Sequence, residues 1–263
     1  VGGVLYMEVD QGAPRGPADF AGPLWRELLT HAGREANRLG LEINMNNDAG
    51  WCGSGGPWIT PELSMQKVVW TETTVEGPQT IDVALAKPAA EHGFYRDIAV
   101  LAMPAPAGNF RTAQGQWKAL AAPQHFPPQP AKFADAPADS IIARDRIIDV
   151  TAHMAADGKL SWKAPAGKWL VLRFGHTTTG KDNHPAPETG RGLECDKFST
   201  AAAQVHYRGL ISKLVADYGP LTGKTLVSIH IDSWETGSQN WTPLMRDEFK
   251  KRRGYDLWPW LPA

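Results

Sequence analysis

Residues 3–47 read as strand, helix, strand, and that succession restrains the fold more than any other feature of the chain. Gly3 to Asp10 carries the apolar and aromatic content of a strand, and a Gly/Pro-rich loop follows it. From Pro17 to Leu39 the spacing is helical: Leu24, Leu28, Ala32, Ala36 and Leu39 form a stripe, Arg26, Glu27, Arg34, Glu35 and Arg38 lie opposite, and Gly40 supplies a stop. A second strand, Leu41 to Asn47, begins at once. Two strands joined by one helix over so short a span make a βαβ unit, the building block of a parallel sheet.

The later chain continues the theme after an interruption. Between Thr71 and Lys168 short alternating segments (Gln79 to Ala86, Tyr95 to Met103, Ile147 to Thr151, Leu160 to Trp162) and a Pro-rich span at 122–137 predict an inserted β-rich subdomain. Trp169 to Thr177 resumes a buried-strand pattern. A helix is expected over Ser199 to Tyr218, closed by Gly219-Pro220, then a strand over 226–232, then a helix from Thr242 to Arg253 with a Thr N-cap and Pro in first position. Each strand ends in polar groups: Glu8 and Asp10, Asn44 and Asn46, His176, then Asp232 and Glu235. Parallel α/β sheets place function at those ends. The expected fold is therefore α/β, a partial (β/α)8 TIM-type barrel of about four β/α units. Residues 1–70 would form its first part, 71–168 the inserted β-rich subdomain and 169–263 the truncated continuation. A doubly wound open sheet is the alternative, although no GxGxxG follows the first strand.

Composition narrows the partners. With 263 residues, 42% of them hydrophobic, the chain can bury a substantial core, and a net charge of −1 gives no electrostatic footprint for nucleic acid. The basic run Lys250 to Arg253 reads as a solvated helix face. No apolar run approaches the roughly 20 residues of a membrane span. Cys52 and Cys195 cannot by themselves build a disulfide framework or a zinc site.

The chemistry gathers at HIDSWETGSQNW, residues 230–241. Leu226 to Ile231 is apolar and β-branched, and the chain then delivers Asp232, Ser233, Trp234, Glu235, Gln239, Asn240 and Trp241. Carboxylates beside flat apolar rings suit a sugar, whose face stacks on indole while its hydroxyls and glycosidic oxygen need acids and amides. Glu235 is the candidate general acid, since Trp234 beside it would desolvate a carboxyl and raise its pKa; Asp232 is placed to orient sugar hydroxyls or the acid itself. After the second strand, DAGWCGSGGPW (48–58) is a close-approach loop without the Lys-Ser/Thr ending of a P-loop. Its Trp51 and Trp58, with Asn46, are further candidates for contact with sugar, and a purely structural Gly-rich turn stays open. No zinc-helix spacing links His176, His184 and His230, and no G-x-S-x-G elbow follows a strand.

Four blocks in order, GGVLYMEVDQGAPRGPADF, LGLEINMNNDAGWCGSGGPWITPELSMQKVVW, GLECDKFS and HIDSWETGSQNWTPLMRDEFKKRRGYD, resemble the α-L-rhamnosidases of glycoside hydrolase family 106. The resemblance implies a bacterial, periplasmic or extracellular enzyme with a (β/α)8 catalytic domain and β-sandwich domains. It also implies inverting, calcium-dependent hydrolysis of a rhamnose-containing glycan or glycoside. Inversion requires two carboxyl groups about 6.5–9.5 Å apart, and the second is expected on a later strand beyond Ala263. Calcium takes six to eight oxygen ligands. Asn46, Asn47, Asp48, Glu194 and Asp196 are the candidates, with Glu194 and Asp196 the better placed because they match the family block, and Asp196 is open to a capping role near Ser199. A non-catalytic carbohydrate-binding module, or a glycosidase of different sugar specificity, is the competing reading.

Overall fold

The computed structural model describes residues 2–106 and 136–262, so most of the Pro-rich span at 122–137 lies outside the described residues. In chain order the regular elements are β1 (Gly3–Glu8), α1 (Pro23–Leu39), β2 (Glu42–Ala49), β3 (Gln66–Ala84), β4 (Arg96–Pro104), β5 (Ile148–Asp149), β6 (Lys159–Thr178), α2 (Thr200–Gly209), α3 (Ile211–Tyr218), β7 (Leu226–His230) and α4 (Met245–Arg253). They separate into two compact units, Val1–Met65 with Thr179–Ser238, and Gln66–Thr178 with Gln239–Ala263.

The first unit holds a three-stranded sheet in the order β1-β2-β7, parallel at both pairings. Its core is formed by Phe20, Trp25, Leu29 and Ala36 from the α1 region, Ile43, Met45 and Ala49 of β2, Leu210, Ile211, Leu214 and Tyr218 from the later helices, and Leu226 of β7. Pro23 starts α1, where its missing N–H is no loss, and Gly40 ends it in the left-handed region at φ 70°, with its N–H turned back to Ala36 and Asn37 carbonyls. The buried face is Trp25, Leu29, Gly33 and Ala36; it keeps Ala36 of the stripe the sequence suggested but turns away from Leu24, Leu28 and Leu39, which are exposed. Gly33 explains the rotation. It carries no hydrophobic signal, yet a Cβ there would stand 2.5 Å from the Tyr218 ring, so its blank surface is the seat of α3. The helix expected over Ser199 to Tyr218 is broken at Leu210, at φ −128° and ψ −66°.

The second unit holds a four-stranded sheet, β3-β6-β4-β5, with every pairing antiparallel. Trp169 to Thr177 is the second half of β6, paired to β3 on one side and β4 on the other. It is not the third of four parallel strands; among the described residues the parallel sheet has three. Both faces of this segment are covered: Trp169 and Val171 join one apolar cluster, and Leu170, Leu172 and Phe174 join another. A central antiparallel strand covered on both faces reads as the same unbroken apolar run as a parallel one. The final helix starts at Met245 rather than Thr242, without a side-chain cap; it belongs to this second unit, as do Gln239, Asn240 and Trp241. No described helix is long and apolar enough to cross a membrane.

Candidate active site

In the first unit, β2 and β7 pair in parallel, so their carboxyl ends lie side by side, and the loop that follows β2 is built for close approach. Gly50 lies at φ 88°, and a Cβ there would stand 2.5 Å from the His184 carbonyl oxygen; at Gly55 it would stand 2.7 Å from Asn183 Cβ and 3.1 Å from Glu194 Oε1. Only glycine lets this loop lie against the segment 183–194. Asn183 fixes that segment, donating to the carbonyls of Ala49 (2.7 Å) and Gly190 (3.0 Å) and accepting the Gly192 N–H (2.8 Å). Across the loop, Gly53 faces Ile231 and Ser233 of the segment after β7.

Glu235 stands in that later segment, partly buried, and its Oε2 accepts the Trp51 indole N–H at 2.8 Å. Two sequence candidates from separate loops thus meet. Trp234 is 49% exposed, and its indole N–H is bonded to the Gly237 carbonyl. Asp232 lies 3.8 Å from His230 Nε2 and accepts the Ser233 hydroxyl at 3.4 Å.

Beneath these groups lies a buried polar cluster. Asp48 and Glu194 are both fully buried. Asp48 Oδ2 accepts the Gly55 N–H at 2.9 Å, and Oδ1 accepts from the Asn46 amide at 3.2 Å. Glu194 is paired with the Lys197 ammonium, which also donates to Ser54 Oγ at 2.7 Å. Burial, then the charge of Glu194, pushes the Asp48 pKa up to about 7 against the pull of the Gly55 N–H and Lys197. Burial also raises that of Glu194, opposed by Lys197. Asn46 Oδ1 and Glu194 Oε1 are buried acceptors without a hydrogen-bond partner. Cys52 packs its thiol on His184 Nδ1 at 3.1 Å, and burial pushes its pKa up to about 12, so it stays a thiol. Asp196 Oδ1 accepts the Phe198 N–H at 2.9 Å, at the turn that leads to α2.

Other candidates have different neighbours. Trp58 is a packing residue: its ring stacks at 6.4 Å on Phe20, and its indole N–H donates to His206 Nδ1 at 3.1 Å. Asn240 and Trp241 pair with the start of β3 in the second unit, and the Gln239 side chain donates to the Trp241 carbonyl at 3.3 Å. Asn240 Oδ1 accepts the Val68 N–H at 2.8 Å, the backbone of Asn240 and Trp241 bonds the Gln66 carbonyl at 3.1 and 3.3 Å, and Trp241 is buried between His176 and Trp258, both at 6.1 Å. Backbone pairing to β3, invisible in the polar pattern, decides their place. Lys197 and Ser54 escaped the sequence reading, although Glu194 and Lys197 stand three apart in GLECDKFS, a spacing that signals an ion pair. A surface cleft of about 380 Å³ lined by Pro23, Arg26, Glu27, Thr30, Arg34 and Asp217 lies along α1, away from these groups, and holds the Arg26–Asp217 ion pair.

A protein of Formosa agariphila named "Putative beta-glucuronidase" is 43% identical over 259 residues, which is 98% of this chain and 22% of the relative. The solved rhamnosidase of Novosphingobium sp. PP1Y superposes with a TM-score of 0.79 at 24% identity, over 99% of this chain and 38% of that one, a likeness of fold. This chain thus spans well under half of either relative. The sequence profile described as alpha-L-rhamnosidase, that of glycoside hydrolase family 106, matches residues 9–121 and 116–263, and the chain belongs to that family.

Proposed function

We propose that this chain supplies the acid-bearing part of an inverting α-L-rhamnosidase site, with Glu235 as general acid and Asp232 orienting the sugar or the acid. The chain is of a glycoside hydrolase family. The observation that carries the reading is the Trp51 indole N–H on Glu235 Oε2 at 2.8 Å, which fixes a partly buried carboxyl next in the chain to the half-exposed Trp234. A general acid needs its carboxyl held within reach of the glycosidic oxygen, and an indole gives the ring a platform. The three parallel strands β1, β2 and β7 would form one arc of a (β/α) barrel, with the site at their carboxyl ends. The water-activating carboxylate would come from outside this chain, which spans 38% of the solved rhamnosidase.

The relative's name motivates a second reading, β-glucuronide hydrolysis. A uronate needs a cation for its carboxylate. Lys197, the ammonium beside Trp234, is already paired with the buried Glu194, which favours an uncharged sugar such as rhamnose.

Calcium would be held by Asp48, Glu194 and the Asn46 amide oxygen. The donors fit in kind: all are hard oxygens, and Asn46 Oδ1 and Glu194 Oε1 are buried acceptors without a partner. No group of three or more His, Cys, Asp or Glu among the described residues could hold a metal, so water or residues of the wider protein would complete the shell. When bound, calcium would supply a fixed positive charge for sugar hydroxyl oxygens.

The test is turnover of aryl α-L-rhamnoside against aryl β-D-glucuronide by the whole enzyme that carries this chain, with calcium and with chelator. Rhamnoside cleavage that chelator abolishes is expected. Preference for the glucuronide would overturn the substrate assignment, and full activity in chelator would remove calcium.

A further inference from the structure

Lys197 is not among the groups given a chemical role above, and its surroundings give it a task in positioning them. Its ammonium is anchored from below by two side chains, the fully buried Glu194 and Ser54 Oγ at 2.7 Å. From above it meets the Trp234 ring, 5.7 Å from the centroid, within the range where a cation is drawn to an indole face. Trp234 in turn ties its own loop, since its indole N–H donates to the carbonyl of Gly237, which sits at φ 78° where the chain reverses. Glu235 lies between those two residues in the chain, and the Trp51 indole anchors its Oε2. Trp234 is half exposed.

We propose that Lys197 is a positioning residue: braced by Glu194 and Ser54, it holds the Trp234 ring and so fixes the 232–237 loop that presents Glu235 to Trp51. This rests on the reading of Glu235 as the acid only where catalysis is concerned; the brace itself is independent of substrate. A buried carboxylate under an ammonium under an indole is a rigid stack, because the ion pair is shielded and the ring covers its open side.

The test uses the whole enzyme that carries this chain, with Lys197→Met, Lys197→Arg and, as control, Lys213→Met on the exposed side of α3. Hydrogen exchange read by mass spectrometry reports the loop, and turnover of α-L-rhamnosides with poor and with activated leaving groups reports the acid. Lys197→Met is expected to speed exchange in peptides covering 232–237 and leave α1 unchanged. It should slow the poor-leaving-group substrate by about 10- to 100-fold, with a few-fold effect at most on the activated one. Lys197→Arg, which keeps the charge and the ring contact, should restore both, and Lys213→Met should match the wild type. Unchanged exchange at 232–237, or failure of arginine to restore it, overturns the brace. If Lys197→Met does not fold, Trp234→Leu removes the same contact from the exposed side, and unchanged loop exchange there overturns it equally. Faster loop exchange with equal slowing of both substrates upholds the brace and removes Glu235 from the acid role.

Discussion

His206 provides a stability test whose sign and size follow from two hydrogen bonds. The residue lies on α2, 4% exposed, with Nδ1 accepting the Trp58 indole N–H at 3.1 Å and Nε2 3.0 Å from the Asn47 carbonyl oxygen. Indole nitrogen only donates, so Nδ1 must be the bare nitrogen and Nε2 must carry the proton, which makes the ring neutral. A second proton would set N–H against N–H and place charge in the core beside Lys197. Burial, with that lysine, lowers the His206 pKa from 6.5 to about 4, although the Asn47 carbonyl pulls the other way. The unfolded chain therefore takes up a proton near pH 6.5 and the folded one near 4, so stability present above pH 6.5 is lost as pH falls towards 4. At about 1.4 kcal/mol per pH unit, the loss between pH 7.5 and 4.5 is roughly 2–3 kcal/mol from this group. Guanidinium unfolding at both pH values should show His206→Gln losing that much less than wild type, even though the variant starts less stable. Parallel losses in the two proteins, or a ring that titrates near pH 6.5 by NMR, would refute the argument from tautomer and burial.

Further outcomes follow from single contacts. Gly55→Ala forces a Cβ to 2.7 Å from Asn183, itself fixed by three hydrogen bonds, and should cost about 1–3 kcal/mol; an unchanged melting temperature would show that the loop can retreat. Arg173→Met removes a two-pronged bond to Asp97 (2.8 and 3.0 Å) and one to the Leu85 carbonyl (2.9 Å) and should cost about 3 kcal/mol in chemical unfolding of the second unit, less if the part-exposed Asp97 rehydrates. Trp51→Phe keeps an aromatic ring but deletes the indole donor to Glu235; a fall in kcat of about tenfold is expected, and wild-type kcat would mean that Glu235 needs no such anchor.

The first βαβ unit was legible because its periodicity is that of its surroundings. β1, α1 and β2 appear where the sequence predicts them, with the helix shortened at its start to Pro23. Trp169 to Thr177 was not legible: burial on both faces gives the same letters in a central antiparallel strand as in a parallel one. The long β3 was hidden too, since Thr71, Glu72, Thr73 and Thr74 break the apolar alternation while the backbone pairing with β6 runs on. At the site, Trp51, Asn46, Asp48, Glu194, Trp234 and Glu235 were each visible as residues and share one unit. Their grouping depends on the approach at Gly50 and Gly55, which no periodicity encodes. Gln239, Asn240 and Trp241 looked continuous with Glu235 in sequence, yet the chain enters the other unit after Ser238.

The most direct test of the proposed chemistry is Glu235→Gln in the whole enzyme that carries this chain, assayed on α-L-rhamnosides with an alkyl and with an activated aryl leaving group. If Glu235 protonates the departing oxygen, the alkyl rhamnoside should lose about 10²- to 10⁴-fold in turnover, while the aryl substrate, whose leaving group needs little protonation, keeps most of its rate. Near-wild-type turnover of the alkyl rhamnoside would contradict it.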